Sequence, residues 1–207
     1  MTLGVTVGTA ISSSLVAYGF ARLRFRGRDL LFMLLLATMM LPPQVTMIPI
    51  YLLFSRFGWV NTFKPFVVPS FFVGNPFLGS PFFVFLLRQF FMTIPHDLDD
   101  AAKIDGCGYL DIFFRILLPQ CKPALVTMIL FAFTWTWNEF MGPLIYLNTF
   151  DKYTIVMGLR LFQGRFGQTH MHLLMALSII AVLPVVILFL LAQKQFVEGI
   201  TLTGMKN

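Results

Sequence analysis

The chain reads as an all-α membrane protein, a polytopic transmembrane helix bundle of about five spans that occupies residues 1–207 as one domain. Three observations predict it. Of 207 residues, 57% are hydrophobic and only 12% charged, about half the roughly 25% usual in soluble domains, and mean hydropathy is +0.81. Apolar runs of about 20 residues, long enough to cross a hydrocarbon core as helix, follow one another and leave no room for a separate soluble domain. The cluster Arg22, Arg24, Arg26, Arg28 stops the first run abruptly, as positive residues do on the cytoplasmic side of a membrane.

The first run spans Leu3 to Phe20. A cleaved signal peptide carries its positive charge ahead of the apolar stretch, so this run is read as a retained span with the N-terminus outside. The second, Leu30 to Phe54, contains Pro42, Pro43 and Pro49, each of which deletes a helix hydrogen bond and crowds the preceding turn, so it should be bent or broken. Phe66 to Met92 is punctuated by Pro69, Gly74, Pro76, Gly79 and Pro81, which predicts an outer loop entering the bilayer edge, then a helix of modest length ending near Arg88. A fourth span covers Pro123 to Leu147 and a fifth Leu173 to Leu191, with Pro184 inside it. Five crossings leave the C-terminus in the cytoplasm.

Charge supports this layout. Arg22, Arg24, Arg26, Arg28, Arg88, Lys103, Arg115, Lys122, Lys194 and Lys206 fall inside, against Arg56, Lys64, Lys152, Arg160 and Arg165 outside, which agrees with the positive-inside bias. The net charge of +6 is scattered among apolar segments with no basic face to follow a phosphate backbone, which argues against nucleic acid. Cys107 and Cys121 lack zinc-type or redox spacing and are expected to be free thiols. Nothing predicts a metal site.

The cytoplasmic connection over residues 93–122 is the polar exception. From Asp99 to Pro119 it holds six of the chain's 24 formal charges: Asp99, Asp100, Lys103, Asp105, Asp111 and Arg115. Pro95 suits a first helical turn, and Asp97, Asp99 and Asp100 set negative charge against the positive end of the helix dipole, so a short helix from Pro95 to Asp105 is expected. Gly106 and Gly108 supply left-handed or otherwise tight backbone to end it. Leu110, Phe113, Phe114 and Leu117 recur at helical spacing, which predicts an amphipathic piece along the membrane face until Pro119 stops it. Leu98, Ala101 and Ala102 are small or modest side chains that would let another protein approach the backbone. The residues alone leave two readings open, a docking surface or an interfacial connector that merely turns the chain.

This segment resembles the cytoplasmic loop of permease subunits of binding-protein-dependent ABC importers, patterned E-A-A, three residues, G, nine residues, I-x-L-P. Here the pattern reads Asp100-Ala101-Ala102, Gly106, Ile116, Leu118 and Pro119, with both gaps of the family length and Asp100 in place of Glu. The stretches YGFARLRFRGR, LLRQFFMTIP, TWNEFMGPLIYLN and the ending GITLTGMKN are similar to the carbohydrate-uptake branch, so the resemblance covers essentially the whole chain.

The resemblance implies that the loop forms a coupling helix docked in a groove of a cytoplasmic ATPase subunit. Asp100 would make the polar contact, Ala101 and Ala102 would permit a close fit, and Gly106 the bend. It implies two ATPase subunits that hold ATP and Mg, a second permease, an extracytoplasmic solute-binding protein, a sugar substrate, and a bacterial or archaeal inner membrane. This chain needs no cofactor of its own and has no G-x-x-x-x-G-K-S/T phosphate cradle, so it is not expected to be an enzyme. The family has six spans, and this sequence opens at what looks like the second, which points to a truncated start. The short tail Gly204-Met205-Lys206-Asn207 resembles the family's G-x-K-G ending, touching the ATPase or fraying in solvent.

Candidate substrate-path residues are polar groups in the spans. Glu139 lies about 24 Å along the fourth span from Pro123, where an acid is expensive and marks a path, unless it sits at the outer headgroups with Trp135 and Trp137 as interface aromatics. On the path reading Asn138 and Glu139 hydrogen-bond sugar hydroxyls, and Trp135 offers its face to a pyranose ring. Gln44 and Thr46, beside the proline break, are weaker candidates. His170 and His172 are read as boundary markers. An ion-coupled secondary transporter is the alternative reading, but no internal repeat or cation paired with Glu139 is visible. A membrane-embedded enzyme would need a nucleophile, metal or acid-base cluster, which the dispersed His residues do not form.

Overall fold

The structure, a computed structural model, describes residues 1–75, 80–162 and 171–204, without the side chains of 161 and 195–204. Among the described residues every regular element is a helix: α1 (Thr2–Arg22), α2 (Arg28–Thr38), α3 (Pro43–Arg56), α4 (Lys64–Ser70), α5 (Ser80–Thr93), α6 (Asp97–Ile104), α7 (Tyr109–Gln120), α8 (Lys122–Asn138), α9 (Met141–Tyr146), α10 (Ile155–Leu161) and α11 (Met171–Gly204). Pro76, Gly79, Arg165, His170 and the tail beyond Gly204 lie outside the described residues.

Helix α1 is the centre of the bundle, packed on α4, α5 and α8, while α11 lies against α8 and α10. The face α1 buries is made of small groups, Thr6, Gly8, Thr9, Ser12, Ser13, Ala17 and Ala21, which let neighbouring backbones come close where lipid offers no hydrophobic drive to associate. At Gly8 a Cβ would stand 2.5 Å from Ser70 Oγ and 2.8 Å from the Phe71 ring. Ser12 Oγ donates to the Ser70 carbonyl at 2.6 Å across the same contact. Phe83, Val84, Leu87 and Phe91 of α5 and Ala124, Met128 and Ala132 of α8 complete the core.

Among the described residues, two helices are long and apolar enough to cross a bilayer singly, Thr2–Arg22 and the Met171–Lys194 part of α11; counting each sharply bent pair as one span gives up to four. The expected break in the second run is present, since α2 and α3 meet at 97°. Pro42 is the N-cap of α3 and Pro43 its first residue, positions where a missing N–H costs nothing; Pro49 remains inside α3. The third run provides α4, a turn, and the 14-residue α5, about 21 Å of helix.

Three expectations need correction. The fourth run is not one helix to Leu147: α8 ends at Asn138, Glu139 is extended, and α9 begins at Met141. Pro119 does not stop α7, which runs to Gln120; the chain turns at Cys121, where α7 and α8 meet at 82°. Residues Ile112–Leu117 of α7 wind as π-helix, and this wider turn buries Ile112, Phe113 and Leu117 while leaving Leu110 and Phe114 exposed, so the apolar stripe is split.

Candidate functional site

The polar loop forms the expected short helix, α6, but it begins at Asp97 with His96 as its N-cap, so Pro95 lies in the connector and not in the first turn. Asp97, Asp99 and Asp100 occupy its first turn and Lys103 its last. The exit is a Schellman motif: the Cys107 N–H donates to the Ala102 carbonyl at 2.9 Å and the Gly106 N–H to the Lys103 carbonyl at 3.0 Å. Gly106 takes φ +82°, which a Cβ disfavours. Gly108 does not share that duty. Its φ of −74° and ψ of 167° are ordinary extended backbone, and it serves as the N-cap of α7.

Sequence spacing put Ala101 and Ala102 together, and the structure separates them. Ala102, 5% exposed, packs into the bundle, whereas Asp100, Ala101, Ile104 and Asp105 face outward, Ile104 at 87% exposure. Asp100 accepts a hydrogen bond from Lys103 Nζ at 2.9 Å, which holds its carboxyl below the usual carboxylate range and holds the Lys103 ammonium above its own. Ile116 and Leu118 are half-buried on α7, with Pro119 exposed. Both cysteines are free, Cys121 buried and Cys107 half-buried.

Sequence reasoning missed Arg22 and Asp99 as a pair. Arg22, read there only as an orienting charge, stands 3.3 Å from the Asp99 carboxylate, with side-chain exposures of 1% and 8%. One signal was available: Asp99 lies three residues before Ala102, so the two share the inward face of α6.

At the break between α2 and α3, two adjoining cavities bring most of the path candidates together. One of about 270 Å³ is lined by Gln44, Thr46, Ile50, Glu139 and Met141. The other, about 560 Å³, shares Pro43, Thr46 and Ile50 with it and reaches Asn75, Phe82 and Trp135. Trp135 is 45% exposed and rests against Phe82 and Phe83, with ring centroids at 5.8 and 5.4 Å. Asn138 lines neither cavity and donates from Nδ2 to the Thr134 carbonyl at 2.8 Å. Glu139 does double service, since its Oε1 accepts from the Gly142 N–H at 2.8 Å and so caps α9. Trp137 is turned away, donating from Nε1 to the Ala181 carbonyl of α11 at 2.9 Å. His172 lies exposed at the start of α11.

The described residues thus form a helical bundle broken beside two adjoining cavities, with a polar loop helix between two of its apolar segments. Residues 9–201 match the family described as binding-protein-dependent transport system inner membrane component, and the chain belongs to that family. It is an inner-membrane permease subunit of a binding-protein-dependent ABC importer, of the carbohydrate-uptake branch. It is similar to the arabinooligosaccharides transport system permease protein AraQ of Bacillus subtilis (strain 168), 37% identical over 99% of this chain and 70% of that one. The trehalose/maltose transport system permease protein MalG of Thermococcus litoralis is 35% identical over 98% and 71%. The sn-glycerol-3-phosphate transport system permease protein UgpE of Pectobacterium atrosepticum is 32% identical over 97% and 69%. In fold, the chain matches a bacterial ABC transporter involved in the import of the acidic polysaccharide alginate, with TM-score 0.74 and 23% identity over 94% of this chain and 72% of that one.

Proposed function

We propose that this chain is one of two membrane subunits through which an ATP-driven importer passes a sugar or oligosaccharide, as the names of AraQ and MalG suggest by similarity. The loop over residues 95–119 is its coupling element. Asp100 and Ala101 meet a groove on a cytoplasmic ATPase subunit, Ala102 seats α6 on the bundle, Gly106 fixes the exit, and Ile116, Leu118 and Pro119 carry the loop back to α8. Two such ATPase subunits hold ATP and Mg, an extracytoplasmic solute-binding protein delivers the solute, and the C-terminus lies in the cytoplasm. The solute path runs along the second permease and the cavities beside α3, where Gln44, Trp135 and Glu139 face it and Asn138 supports the helix end.

The observation that carries this reading is the two-sidedness of α6. One face, Asp99 and Ala102, is sunk in the bundle, while Asp100, Ala101, Ile104 and Asp105 are exposed among the described residues. A helix anchored by one face and presenting a mixed polar and apolar group on the other is a surface that a partner can grip. ATP-driven closure of the ATPase dimer would move that helix and rock the bundle between outward-open and inward-open states.

In vesicles holding the complete transporter, Asp100→Lys and Gly106→Pro are expected to abolish ATP-dependent solute uptake while the permease still inserts. Normal uptake in both variants would remove the coupling assignment.

A further inference from the structure

We infer that Arg22 and Asp99 form a pin by which the loop end of α1 is made to move with the coupling loop, an inference that rests on the coupling role proposed above. Arg22 closes α1, and its guanidinium meets three elements. Nη2 donates to the Phe91 carbonyl at 2.6 Å and the Ile94 carbonyl at 2.7 Å, at and just beyond the end of α5. Nη1 donates to His96 Nδ1 at 2.9 Å and lies 3.3 Å from Asp99 Oδ2.

The carbonyl contacts alone have an ordinary explanation, since the last carbonyls of a helix have no partner within it and a basic side chain caps them. Asp99 also has an ordinary use, as negative charge in the first turn of α6, but that use requires no burial. Its carboxylate is 8% exposed, and its Oδ1 finds no hydrogen-bond partner among the described residues, nor does Arg22 Nε. Apolar side chains of similar volume would serve stability as well or better than a buried, partly satisfied ion pair. What the pair adds is orientation. A planar guanidinium held by two carbonyls and a carboxylate fixes α6 against α1 and α5 in one arrangement, which a lysine's point charge cannot do.

A second contact holds the middle of the loop. Tyr18, one turn before Arg22 on the same face of α1, donates from its hydroxyl to the Tyr109 carbonyl at 3.0 Å. Its ring packs against Phe91 and Phe113, with centroids at 6.4 and 5.1 Å. The last two turns of α1 therefore grip the loop both at α6 and at the start of α7. The loop is joined covalently to α5 and α8 but not to α1. These side chains are thus a direct route by which a push on α6 reaches α1, in addition to the packing of α1 on α5 and α8. Arg22 and Asp99 are positioning residues; the groups that meet the ATPase are Asp100 and its exposed neighbours.

The test uses the complete transporter in proteoliposomes and reads solute taken up per ATP hydrolysed. Asp99→Asn removes the charge with little change of shape, and Arg22→Lys keeps the charge but loses the fork. Both are expected to hydrolyse ATP while the ratio falls by about 5- to 150-fold, the range of an ordinary coupling between sites. An unchanged ratio, or uptake and hydrolysis falling together with the amount of assembled complex, overturns the pin. Asp100→Lys measured alongside separates the two ideas. If it transports normally the coupling reading has failed; if it is inactive while Asp99→Asn is normal, only the pin has. Should neither pin variant insert, spin labels at the exposed positions Arg26 and Asp105 of the otherwise unaltered chain decide. Their separation is expected to hold within about 3 Å between nucleotide-free and ATP-bound transporter, less than a one-turn shift, and a larger change overturns the proposal.

Discussion

In the loop over residues 93–122 the charged groups answer one another, whereas around the cavities beside α3 the polar groups answer the backbone. Asp99 meets Arg22, Asp100 meets Lys103, and Asp111 lies 3.4 Å from Arg115. At the cavities Thr38 donates to the Leu35 carbonyl, Thr46 to the Pro43 carbonyl, and Glu139 accepts from Gly142 N–H, while Asn138, next to Glu139 but outside both cavities, donates to the Thr134 carbonyl. The first arrangement makes a stiff handle whose shape is complete within the chain. The second spends its polar groups on keeping broken helix ends satisfied in a membrane, where each unpaired backbone group costs several kcal/mol. A solute there would be met by the remaining lone pairs and N–H groups of these same side chains.

The sharpest way to break this contrast is at the two loop glycines. Gly106→Val puts a β-branched side chain at φ +82° and should cost about 1–2 kcal/mol or more. Gly108→Ser, in extended backbone at an N-cap position that favours serine, should stay within about 0.5 kcal/mol. Thermal unfolding of the detergent-solubilised permease would show both, and equal losses would remove the Schellman exit as the reason for Gly106.

A somewhat smaller effect should separate capping from solute contact at Glu139. Glu139→Ala loses the cap on α9 and should cost about 1 kcal/mol, whereas Glu139→Gln keeps an acceptor for Gly142 N–H. If the residue also faces solute, Glu139→Gln will leave the melting temperature near wild type yet change the concentration dependence of uptake. Uptake kinetics unchanged in Glu139→Gln would reduce Glu139 to a cap.

Smallest of all is the pH response of the exposed pair on α6. The hydrogen bond from Lys103 lowers the Asp100 pKa, so the pair's contribution is present above the ordinary carboxylate range and fades as pH falls through the lowered value. The raised Lys103 pKa sets the opposite limit, since that contribution fades as pH rises through it. Lys103→Met should move the Asp100 titration upward toward its ordinary value, as read by carbon NMR of the carboxyl, with little change in stability because solvent and salt screen the pair.

Legibility in the sequence followed the same division. The α6 helix, its acidic first turn and the role of Gly106 were readable because each depends on residues within one or two turns. The break at Pro42 and Pro43 was readable because a missing N–H acts locally. The break at Glu139 was missed although Gly142 and Pro143 mark it: Pro143 has no N–H for the Glu139 carbonyl and its ring crowds that carbonyl, so a helix cannot run through, and the Glu139 carboxylate accepts from the Gly142 N–H instead. The split stripe on α7 was missed because a helical wheel assumes 3.6 residues per turn and the π-wound stretch does not keep it.

From its residues alone, then, this protein was determined to be a membrane-embedded helical bundle with a capped polar helix between two apolar runs, because hydropathy, proline sterics and capping act over short distances. Tertiary structure alone decided that Ala102 faces in while Ala101 faces out, that Gln44 and Glu139 border one cavity, and that Arg22 closes on Asp99. Those outcomes depend on which helices α1 packs against, and burial and ion pairing between distant segments are properties of the packed bundle that no local pattern of residues encodes.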